Sequence, residues 1–351
     1  MWGLFLKILN GSIKKRVCFM TISFGLLGAG RIGKTHATAI LGIPGAKLTA
    51  AYDPVDAAAE HIVKMSGARR ASVDEILADK SIHAVLICTP TDMHADQIEL
   101  AAKAGKAIFC EKPVDLSAER VRACLKVVEA TKTKLMIGFN RRFDTNFAAA
   151  RHRIDAGDVG TVELVQIVSR DPGPPPLEYI KRSGGLFRDM MIHDLDLARF
   201  LLNGEEIVSV SATGSILVDS AIGEAGDVDT ATATLRSKSG KIVVITNSRR
   251  ATYGYDQRIE IHGSKGAVSA ANVHANTVTL ANVDGYREAP LLNFFMERYA
   301  DAYRSELQSF VTAIETGSPI SPSGLDGLKA LELADACVKS MQSRAEVVVV
   351  V

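Results

Sequence analysis

The sequence predicts an α/β protein in which a doubly wound parallel sheet is followed by an α+β domain with a large open mixed or antiparallel sheet. The chain has 351 residues, and one hydrophobic core rarely serves more than about 250, so two domains are expected. As far as residue 143, short apolar runs alternate with helix-length segments. Beyond that point the strand-sized segments alternate apolar and polar residues, which is typical of a sheet with one free face.

The first part of the chain contains strand-sized apolar runs at Ile22–Leu27, Lys47–Tyr52, His83–Cys88, Ala107–Cys110 and Leu135–Phe139. Helix-compatible segments lie between them at Ile32–Leu41, Pro54–Met65, Met93–Lys103 and Ala118–Thr131. Strands that alternate with helices form a parallel sheet that is covered on both faces. We therefore expect a first domain at residues 20–142.

The second part begins with a predicted helix at about residues 143–156. Strands are predicted at Val162–Ser169, Ile207–Ala212, Asp229–Ser237, Lys241–Ser248 and Gln257–His262. Further helices are predicted at Asp189–Leu202, Glu297–Glu315 and Gly324–Ser343. The proline-rich stretch Asp171–Pro176 predicts a stiff extended loop. We expect a second domain at residues 143–351.

Charge and cysteine content limit the classes of partner. The chain carries 41 basic and 40 acidic residues, a formal net charge of +1, so no nucleic-acid partner is expected. No apolar run approaches the roughly 20 residues that cross a bilayer, so no membrane partner is expected. The five cysteines are scattered without a CxxC pair, which argues against a disulfide framework or a structural zinc site. Buried, unreactive thiols and a cytoplasmic location are the expectation.

Residues 1–19 differ from the rest of the chain. They carry four basic residues and no acidic one, and most of the charges follow the apolar stretch at residues 2–6. A secretory signal has the opposite order. One interpretation is a short amphipathic anchor. The favoured interpretation is an N-terminal extension, disordered or not native, because Met20 stands directly before the first strand.

A glycine-rich turn follows the first strand. Gly28, Gly30 and Gly33 form a GxGxxG pattern, with Arg31 and Ile32 between the last two glycines. The first glycine permits a tight turn, the second lets the backbone approach a pyrophosphate, and the third lets helix and strand pack closely. The pattern and its position between strand and helix predict a dinucleotide site.

Asp53 ends the second predicted strand, twenty residues past Gly33. A carboxylate at this place accepts hydrogen bonds from ribose hydroxyls and repels a 2′-phosphate. Pro54 and Val55 follow it, with no arginine to bind a 2′-phosphate. NAD is therefore favoured over NADP.

Two more segments reach the carboxyl edge of the predicted sheet, where doubly wound folds bind their ligands. Thr89 and Pro90 follow one strand, and His94 beyond them either faces the cofactor or, as the favoured interpretation, only starts a helix. Glu111 and Lys112 follow the next strand. A lysine placed there lies near the nicotinamide, and the alternative is a surface charge in a loop.

The segment Gly184–Asp196 carries a second group of chemical side chains. Asp189 and His193 are four residues apart and share a face if the segment is helical. A carboxylate beside an imidazole fixes its tautomer and favours its protonated form, and alcohol oxidation needs a base of this kind. The alternatives are a structural histidine, or a metal site made by His193, Asp194 and Asp196, although these three do not share a helical face.

Together these segments resemble the Gfo/Idh/MocA oxidoreductases. The resemblance runs from about residue 22 to the C-terminus and is carried by Gly28–Gly33, Glu111–Pro113, Gly138–Asp144 and Gly184–Asp196. It implies a Rossmann domain followed by an α/β domain whose open sheet makes the contacts of a homo-oligomer, a dimer or a tetramer. It also implies NAD as the cofactor and no metal.

The resemblance implies a role for each motif residue. Lys112 would bond the reacting oxygen, and Asp189 and His193 would complete the catalytic set, with His193 as the base. Cofactor contacts are implied for Gly28, Gly30, Arg31, Ile32, Gly33, Asp53, Thr89, Pro90, Glu111 and Lys112. Substrate contacts are implied for the catalytic three and for Arg142, Asp171, Met190 and one of Tyr253 and Tyr255.

The resemblance is strongest to family members that oxidise cyclic polyols, and the segments Ser169–Pro172, His193–Asp196 and Tyr253–Arg258 carry it. It implies hydride transfer from myo-inositol to NAD, with the 2-keto inosose as product. Another inositol isomer or another sugar is the nearest alternative, because such members share the catalytic set. An NAD-sensing regulator without catalysis is an alternative of another class. The presence of an acid–base set argues against a regulator.

Overall fold

The computed structural model describes residues 21–349 and contains a six-stranded parallel sheet in the order β3-β2-β1-β4-β5-β6. Its strands are β1 (Ile22–Leu27), β2 (Ala46–Tyr52), β3 (Arg69–Arg70), β4 (Ala84–Ile87), β5 (Ala107–Cys110) and β6 (Leu135–Ile137). The strand order reverses between β1 and β4, so that a crevice opens at the carboxyl ends of these two strands. The prediction of a doubly wound parallel sheet is confirmed. Residues 1–19, predicted to be an extension, lie outside the described residues.

The connecting helices are α1 (Arg31–Leu41), α2 (Asp56–Ser66), α3 (Val73–Ala78), α4 (His94–Lys103) and α5 (Ala118–Ala130). Strand β3 and helix α3 were not predicted. The strand consists of two exposed arginines and therefore lacks an apolar pattern. The helix is only six residues long, and a capping box between Ser72 and Glu75 stabilises its first turn.

A second, seven-stranded sheet has the order β12-β11-β7-β10-β9-β8-β15. Its strands are β7 (Val162–Arg170), β8 (Ile207–Ser215), β9 (Thr230–Ser237), β10 (Ile242–Ser248), β11 (Asp256–Gly263), β12 (Gly266–Ala270) and β15 (Val347–Val348). A separate hairpin consists of β13 (Thr279–Asn282) and β14 (Gly285–Glu288). Strands β7 and β10 are parallel and the other pairs are antiparallel, which confirms the predicted mixed sheet. Buried and exposed residues alternate along β9 and β11, so one face is packed and the other is open.

The helices of the second part are α6 (Thr145–Asp155), α7 (Leu177–Ser183), α8 (Ile192–Leu201), α9 (Ser220–Glu224), α10 (Phe295–Arg298), α11 (Ala300–Thr316) and α12 (Gly324–Ser343). The prediction of one continuous helix at Asp189–Leu202 is wrong at its start, because a π turn at Phe187–Met191 precedes α8. The helix predicted at Glu297–Glu315 is likewise divided at Tyr299. No prediction was made for α7, which directly follows the proline-rich loop.

The last two long helices connect the sheets. Helix α11 packs on α1, and Phe310 lies 6.2 Å from Phe24 and 6.0 Å from Phe109 between ring centroids. Helix α12 starts beside β6, where the main-chain N–H of Ile137 donates to the oxygen of Pro322 at 3.1 Å, and it continues along α8 and β8. Helix α12 thereby links β6 of the first sheet to β8 of the second. In the part of the chain that the structure describes, no helix is long and apolar enough to span a bilayer.

Candidate active site

The glycine turn between β1 and α1 has the shape that a dinucleotide requires. Gly28 has a φ of +93°, and a Cβ there would lie 2.6 Å from the main chain of Cys88. A Cβ on Gly33 would lie 2.0 Å from the oxygen of Gly28. Gly30 faces open space, and no side chain caps the first turn of α1, so its first N–H groups are free for a phosphate. Arg31 is exposed and Ile32 is partly buried beside this turn. These features fit the pyrophosphate of NAD.

Asp53 is tied to the same turn. Its Oδ2 accepts a hydrogen bond from the main-chain N–H of Ala29 at 2.7 Å, and its Oδ1 accepts one from Val55 at 2.9 Å. Each carboxylate oxygen keeps a second lone pair for a ribose hydroxyl. The carboxylate therefore stands at the end of β2, beside the glycine turn.

His94 connects the loops that follow strands β4 and β5. One ring nitrogen lies 2.8 Å from the oxygen of Thr89 and the other lies 2.8 Å from the oxygen of Pro113. The side chain is buried at the start of α4, so its atoms are committed to the two loops. Pro90 is exposed at this edge, and the hydroxyl of Thr89 donates to Gln97 at 2.7 Å. This geometry agrees with the interpretation of His94 as a helix-start residue.

Glu111 lies beneath the edge, where its Oε1 is 2.5 Å from Nε2 of the fully buried His36 on α1. The next residue, Lys112, points the other way. Its Nζ donates to the main-chain oxygen of Asp189 at 2.6 Å and lies 3.3 Å from Oδ1 of the same residue. Lys112 is therefore not a free surface charge, because it joins the first sheet to the π turn.

The carboxylate of Asp189 has two further partners. The hydroxyl of Tyr179 on α7 donates to Oδ1 at 2.8 Å, and a guanidinium nitrogen of Arg249 lies 3.4 Å from Oδ2. Burial raises the pKa of Asp189, but the cations of Lys112 and Arg249 outweigh burial and bring the pKa below its usual value. Asp189 is therefore ionised at neutral pH.

His193 is the second residue of α8 and lies edge-on to Phe139, 6.2 Å away between ring centroids. Its Nδ1 is buried and has no hydrogen-bond partner among the described residues. Burial lowers the pKa of His193 well below its usual value, and the cations of Lys112 and Arg141 lower it further. The imidazole is therefore neutral at pH 7 and has an acceptor nitrogen available.

The expected pairing of Asp189 with His193 is wrong, because no hydrogen bond joins them among the described residues. The expectation that Asp189 favours the protonated imidazole is also wrong, because the pKa of His193 is lowered. The π turn at Phe187–Met191 is the physical reason. Its hydrogen bonds span five residues rather than four, so side chains four apart no longer stack along one face. Both residues still border the same site, since each is affected by the charge of Lys112.

Two neighbouring arginines point to different places. Arg142 donates to Asp196 at 2.6 and 2.8 Å and to Asp326 at 3.0 Å, and the structure does not bring it to the group around Lys112. The expected substrate contact of Arg142 is not supported by this geometry. The charge of the buried Arg141 instead acts on His193, and its guanidinium bonds Asp194.

The same two ion pairs bear on the metal alternative. The carboxylates of Asp194 and Asp196 are each engaged by an arginine, and Asp194 also accepts from Ser169 at 2.6 Å and Asn247 at 2.9 Å. Across residues 21–349, no group of three or more potential ligand side chains could hold a metal ion. The carboxylates of Asp194 and Asp196 are therefore already occupied by donors of the protein.

The remaining residues that were expected to contact substrate differ in how deeply they are buried. Burial raises the pKa of Asp171 to about 6 against the opposing effect of Arg249, and its neighbours include Asp189 and Arg141. Tyr255 is 6% exposed and packs edge-on against Tyr299, whereas Tyr253 is 50% exposed. The hydroxyl of Tyr253 donates to Asp256 at 2.7 Å. Asp171 and Tyr255 thus lie inside the site and Tyr253 lies on its outside.

Met190 is buried in the π turn beside Asp189. Sequence reasoning missed three residues near the site, which are Arg141, Tyr179 and Arg249. A signal existed for Arg249, because an Arg–Arg pair follows the apolar strand β10 at the edge where Arg170 ends β7 and Asp171 comes next. Tyr179 gave no signal, since its helix is short and mostly exposed.

Comparison with known sequences places these features in a family. Residues 22–139 match an oxidoreductase family described by its NAD-binding Rossmann fold, and residues 147–269 match the GFO/IDH/MocA C-terminal domain. The chain belongs to the Gfo/Idh/MocA oxidoreductases. It is therefore an NAD-dependent oxidoreductase, as the glycine turn and Asp53 predict.

Individual members of this family are similar over nearly the whole chain. An inositol 2-dehydrogenase of Rhizobium meliloti (strain 1021) is 60% identical over 328 residues, which are 93% of this chain and 99% of the relative. The crystal structure of a myo-inositol dehydrogenase from Corynebacterium glutamicum has a TM-score of 0.91 at 43% identity, covering 95% of this chain and 100% of that one. A Lactobacillus casei scyllo-inositol dehydrogenase with bound NAD(H) and scyllo-inositol has a TM-score of 0.87 at 34% identity, covering 94% and 99%.

Proposed function

We propose that the protein oxidises myo-inositol to 2-keto-myo-inositol with NAD as the acceptor. The observation that carries this proposal is the meeting of Lys112, Asp189 and His193 in one buried site, at the sheet edge that also holds the dinucleotide turn. The similarity to inositol dehydrogenases over more than nine-tenths of the chain supports the choice of substrate.

The neutral imidazole of His193 is the proposed general base. Its pKa is held low by burial and by the cations of Lys112 and Arg141, so the imidazole is unprotonated before the substrate binds. Nδ1 is closed off from solvent, whereas the side chain as a whole is only partly buried, so Nε2 is the nitrogen that a hydroxyl of the substrate would reach. His193 then accepts the proton of the hydroxyl that is being oxidised.

Lys112 and Asp189 orient the reacting carbon. The ammonium of Lys112 is already directed by two oxygens of Asp189, and its remaining N–H can donate to the developing alkoxide. Fixed donors in a site with little water are worth more than in solution, because no reorganisation is needed during the reaction. Bound NAD supplies the hydride acceptor. The side chains of this chain therefore hold the substrate, take its proton and stabilise its oxygen.

The residues beside this group suit a cyclic polyol. In this proposal the carboxyl of Asp171 and the hydroxyl of Tyr255 bond hydroxyls of the ring, since both lie close enough to influence each other and to be influenced by Arg141. Met190, which is buried next to Asp189 in the chain, is the proposed apolar contact. In this proposal residues 20–142 bind NAD, and residues 143–351 supply the substrate contacts.

A second candidate substrate is scyllo-inositol. The L. casei scyllo-inositol dehydrogenase, whose structure contains that substrate, is similar to this chain over 94% of its length. The two inositols differ only in the orientation of one hydroxyl, so both would use the same base and the same lysine.

The direct test is formation of NADH by the purified protein, followed at 340 nm. The protein would be mixed with NAD or NADP and with myo-inositol, scyllo-inositol or glucose in turn. The expected result is the highest kcat/KM with myo-inositol and NAD. A higher value with scyllo-inositol would move the assignment to the second candidate. NAD binding without turnover on any polyol would refute the dehydrogenase proposal in favour of a regulator.

We also propose a homo-oligomer, a dimer or a tetramer, that works in the cytoplasm. The open face of the second sheet supports an oligomer, because Ile242 is 43% exposed there and pairs in register with Leu164 on the neighbouring strand. The buried free thiols of Cys88, Cys110, Cys124 and Cys337 fit a reducing compartment. Sedimentation velocity of the purified protein tests the oligomer, and a monomer at micromolar concentration would refute it.

A further inference from the structure

Arg249 is a buried cation in the described structure that the proposed mechanism does not use. Its side chain is 1% exposed, directly after the end of β10. One guanidinium nitrogen lies 3.4 Å from Oδ2 of Asp189 and 3.8 Å from Oδ2 of Asp227. A buried arginine is tolerated only when anions compensate its charge, and here two carboxylates do so.

Asp227 connects this arginine to the turn that precedes the π turn. Its Oδ1 accepts the main-chain N–H of Leu186 at 2.9 Å, and a Cβ on Gly185 would lie 2.7 Å from the same oxygen. The backbone of Arg249 is fixed as well, because its N–H donates to the oxygen of Asp229 at 2.8 Å. The main chain of Arg249 is therefore held by Asp229, and its guanidinium is held by Asp189 and Asp227.

The pairing of Arg249 is incomplete within the described residues. Its Nε has no hydrogen-bond partner, and neither has Oδ2 of Asp227. A residue that only filled the core would be expected to satisfy its donors, because an unpaired buried donor costs about 1–3 kcal/mol. The arrangement instead directs the arginine toward the carboxylate of Asp189.

Asp189 receives donors on both oxygens from three different elements. Tyr179 and Lys112 lie at Oδ1, and Arg249 is the partner at Oδ2. The titratable and charged groups around this carboxylate are Lys112 from the loop after β5, Tyr179 from α7, Asp171 after β7, Asp227 before β9, and Arg249 after β10. Without Arg249, the two cations facing the carboxylate would be reduced to one, and Oδ2 would lose its partner.

We propose that Arg249 is a positioning residue, which holds Asp189 as an oriented carboxylate so that Asp189 can in turn direct Lys112 to the reacting oxygen. This inference rests on the proposed function, since Lys112 matters only if a polyol is oxidised here. Arg249 is not expected to touch the substrate or the cofactor.

The test compares Arg249→Gln and Arg249→Lys with Arg151→Met, a change at another buried arginine that bonds Asp155 and the main-chain oxygen of Phe200. Loss of an orienting group typically costs about 10²-fold in rate. We expect Arg249→Gln to lower kcat/KM for myo-inositol by about this factor, with the KM for NAD unchanged. The pKa of the Asp189 carboxyl should rise, because a carboxylate without its cation holds its proton more tightly. Arg249→Lys should keep this pKa near that of the wild type.

Asp227→Asn provides a variant that keeps the fold, because an amide oxygen can still accept from Leu186. It removes a negative charge near Asp189 and should therefore lower the pKa of the Asp189 carboxyl, opposite to Arg249→Gln. A titration of this carboxyl by ¹³C NMR, assigned with Asp189→Asn, measures both shifts without turnover.

The outcomes separate the two proposals. A wild-type protein that forms no NADH refutes the proposed function, and the NMR titration still tests the role of Arg249. An active wild type whose Asp189 titration does not change in Arg249→Gln and Asp227→Asn overturns this inference alone. A loss of activity that matches Arg151→Met, with an unchanged Asp189 titration, would show a merely structural role.

Discussion

Lys112 and Asp189 join the two sheets of this protein, since the ammonium of Lys112 lies 2.6 Å from the main-chain oxygen and 3.3 Å from the carboxylate of Asp189. Lys112 follows β5 of the first sheet, and Asp189 stands in the π turn before α8, which packs on the second sheet. Both side chains are 12% exposed, so the pair is shielded from bulk water. A substrate bound beside it would meet a cation whose direction is already fixed.

His193→Ala should lower kcat with myo-inositol by about 10²–10⁴-fold, the usual contribution of a general base. The affinity for NAD should remain near that of the wild type, because His193 lies away from the glycine turn. Steady-state kinetics and NADH fluorescence titration measure the two effects. His152→Ala, at an exposed histidine on α6, is the matched control and should be fully active. Equal turnover by both variants would exclude His193 as the base.

Asp53→Ala should weaken the preference for NAD over NADP. The change removes a carboxylate that would accept from the ribose hydroxyls and repel a 2′-phosphate. We expect the ratio of kcat/KM with NAD to that with NADP to fall at least 10-fold, a loss of about 1.4 kcal/mol. Asp56→Asn, three residues further on and exposed, controls for a general change of charge. A ratio that is the same in both variants would contradict the role of Asp53.

Tyr255→Phe should raise the KM for myo-inositol by about 3–10-fold, which corresponds to the loss of one hydrogen bond of 0.5–1.5 kcal/mol. Tyr255 is the inner tyrosine of the pair, and its hydroxyl has no partner among the described residues. Tyr253→Phe is the comparison, because its hydroxyl is already committed to Asp256. A larger effect of Tyr253→Phe would reverse the assignment of the two tyrosines.

Glu306→Gln should stabilise the protein at alkaline pH. Glu306 is fully buried, and neither carboxylate oxygen has a hydrogen-bond partner in the described part of the chain. Burial raises the pKa of Glu306 well above its usual value, and the carboxylates of Glu111 and Asp196 raise it further. The folded state therefore binds a proton that the unfolded state releases, so the stabilisation is complete below the unfolded pKa and is lost as the pH rises toward the folded pKa.

Thermal unfolding between pH 5 and pH 9 measures this effect. The Tm of Glu306→Gln should exceed that of the wild type by a few degrees at pH 8–9, at roughly 2–4 °C for each kcal/mol, and the two should converge near pH 5. Glu60→Gln, at an exposed position on α2, should follow the wild type at every pH. A constant difference in Tm across the range would contradict a titrating Glu306.

Most of the fold could be predicted from the spacing of apolar residues along the sequence. Strands β1 and β5 have the predicted bounds, and helix α12 spans Gly324–Ser343 as predicted. The periods of 2 and 3.6 residues depend only on local geometry, so they can be read without knowledge of contacts. Strand β3 and helix α7 escaped prediction because neither is long enough to show a period.

The chemical residues were predictable to the extent that they stand in motifs. The glycine turn, Asp53 and Lys112 all lie at strand ends, and the carboxyl edge of a parallel sheet brings strand ends together whatever the sequence between them. Lys112 and Asp189 are 77 residues apart, and no spacing rule predicts the bond between them. That contact follows from the packing of the two sheets against each other.

The sequence by itself determined the parallel sheet, the dinucleotide turn and the choice of candidate reactive side chains, because these depend on residue type and local period. Only the tertiary structure decided that Arg141 rather than Arg142 stands beside His193, since these neighbours leave a short 3₁₀ turn at Asn140–Phe143 in different directions. Only it decided that Asp189 bonds Lys112 and Arg249 instead of His193, because the π turn rotates the carboxylate away from the imidazole. The charge of a buried group depends on which neighbours surround it, and packing alone brings those neighbours together.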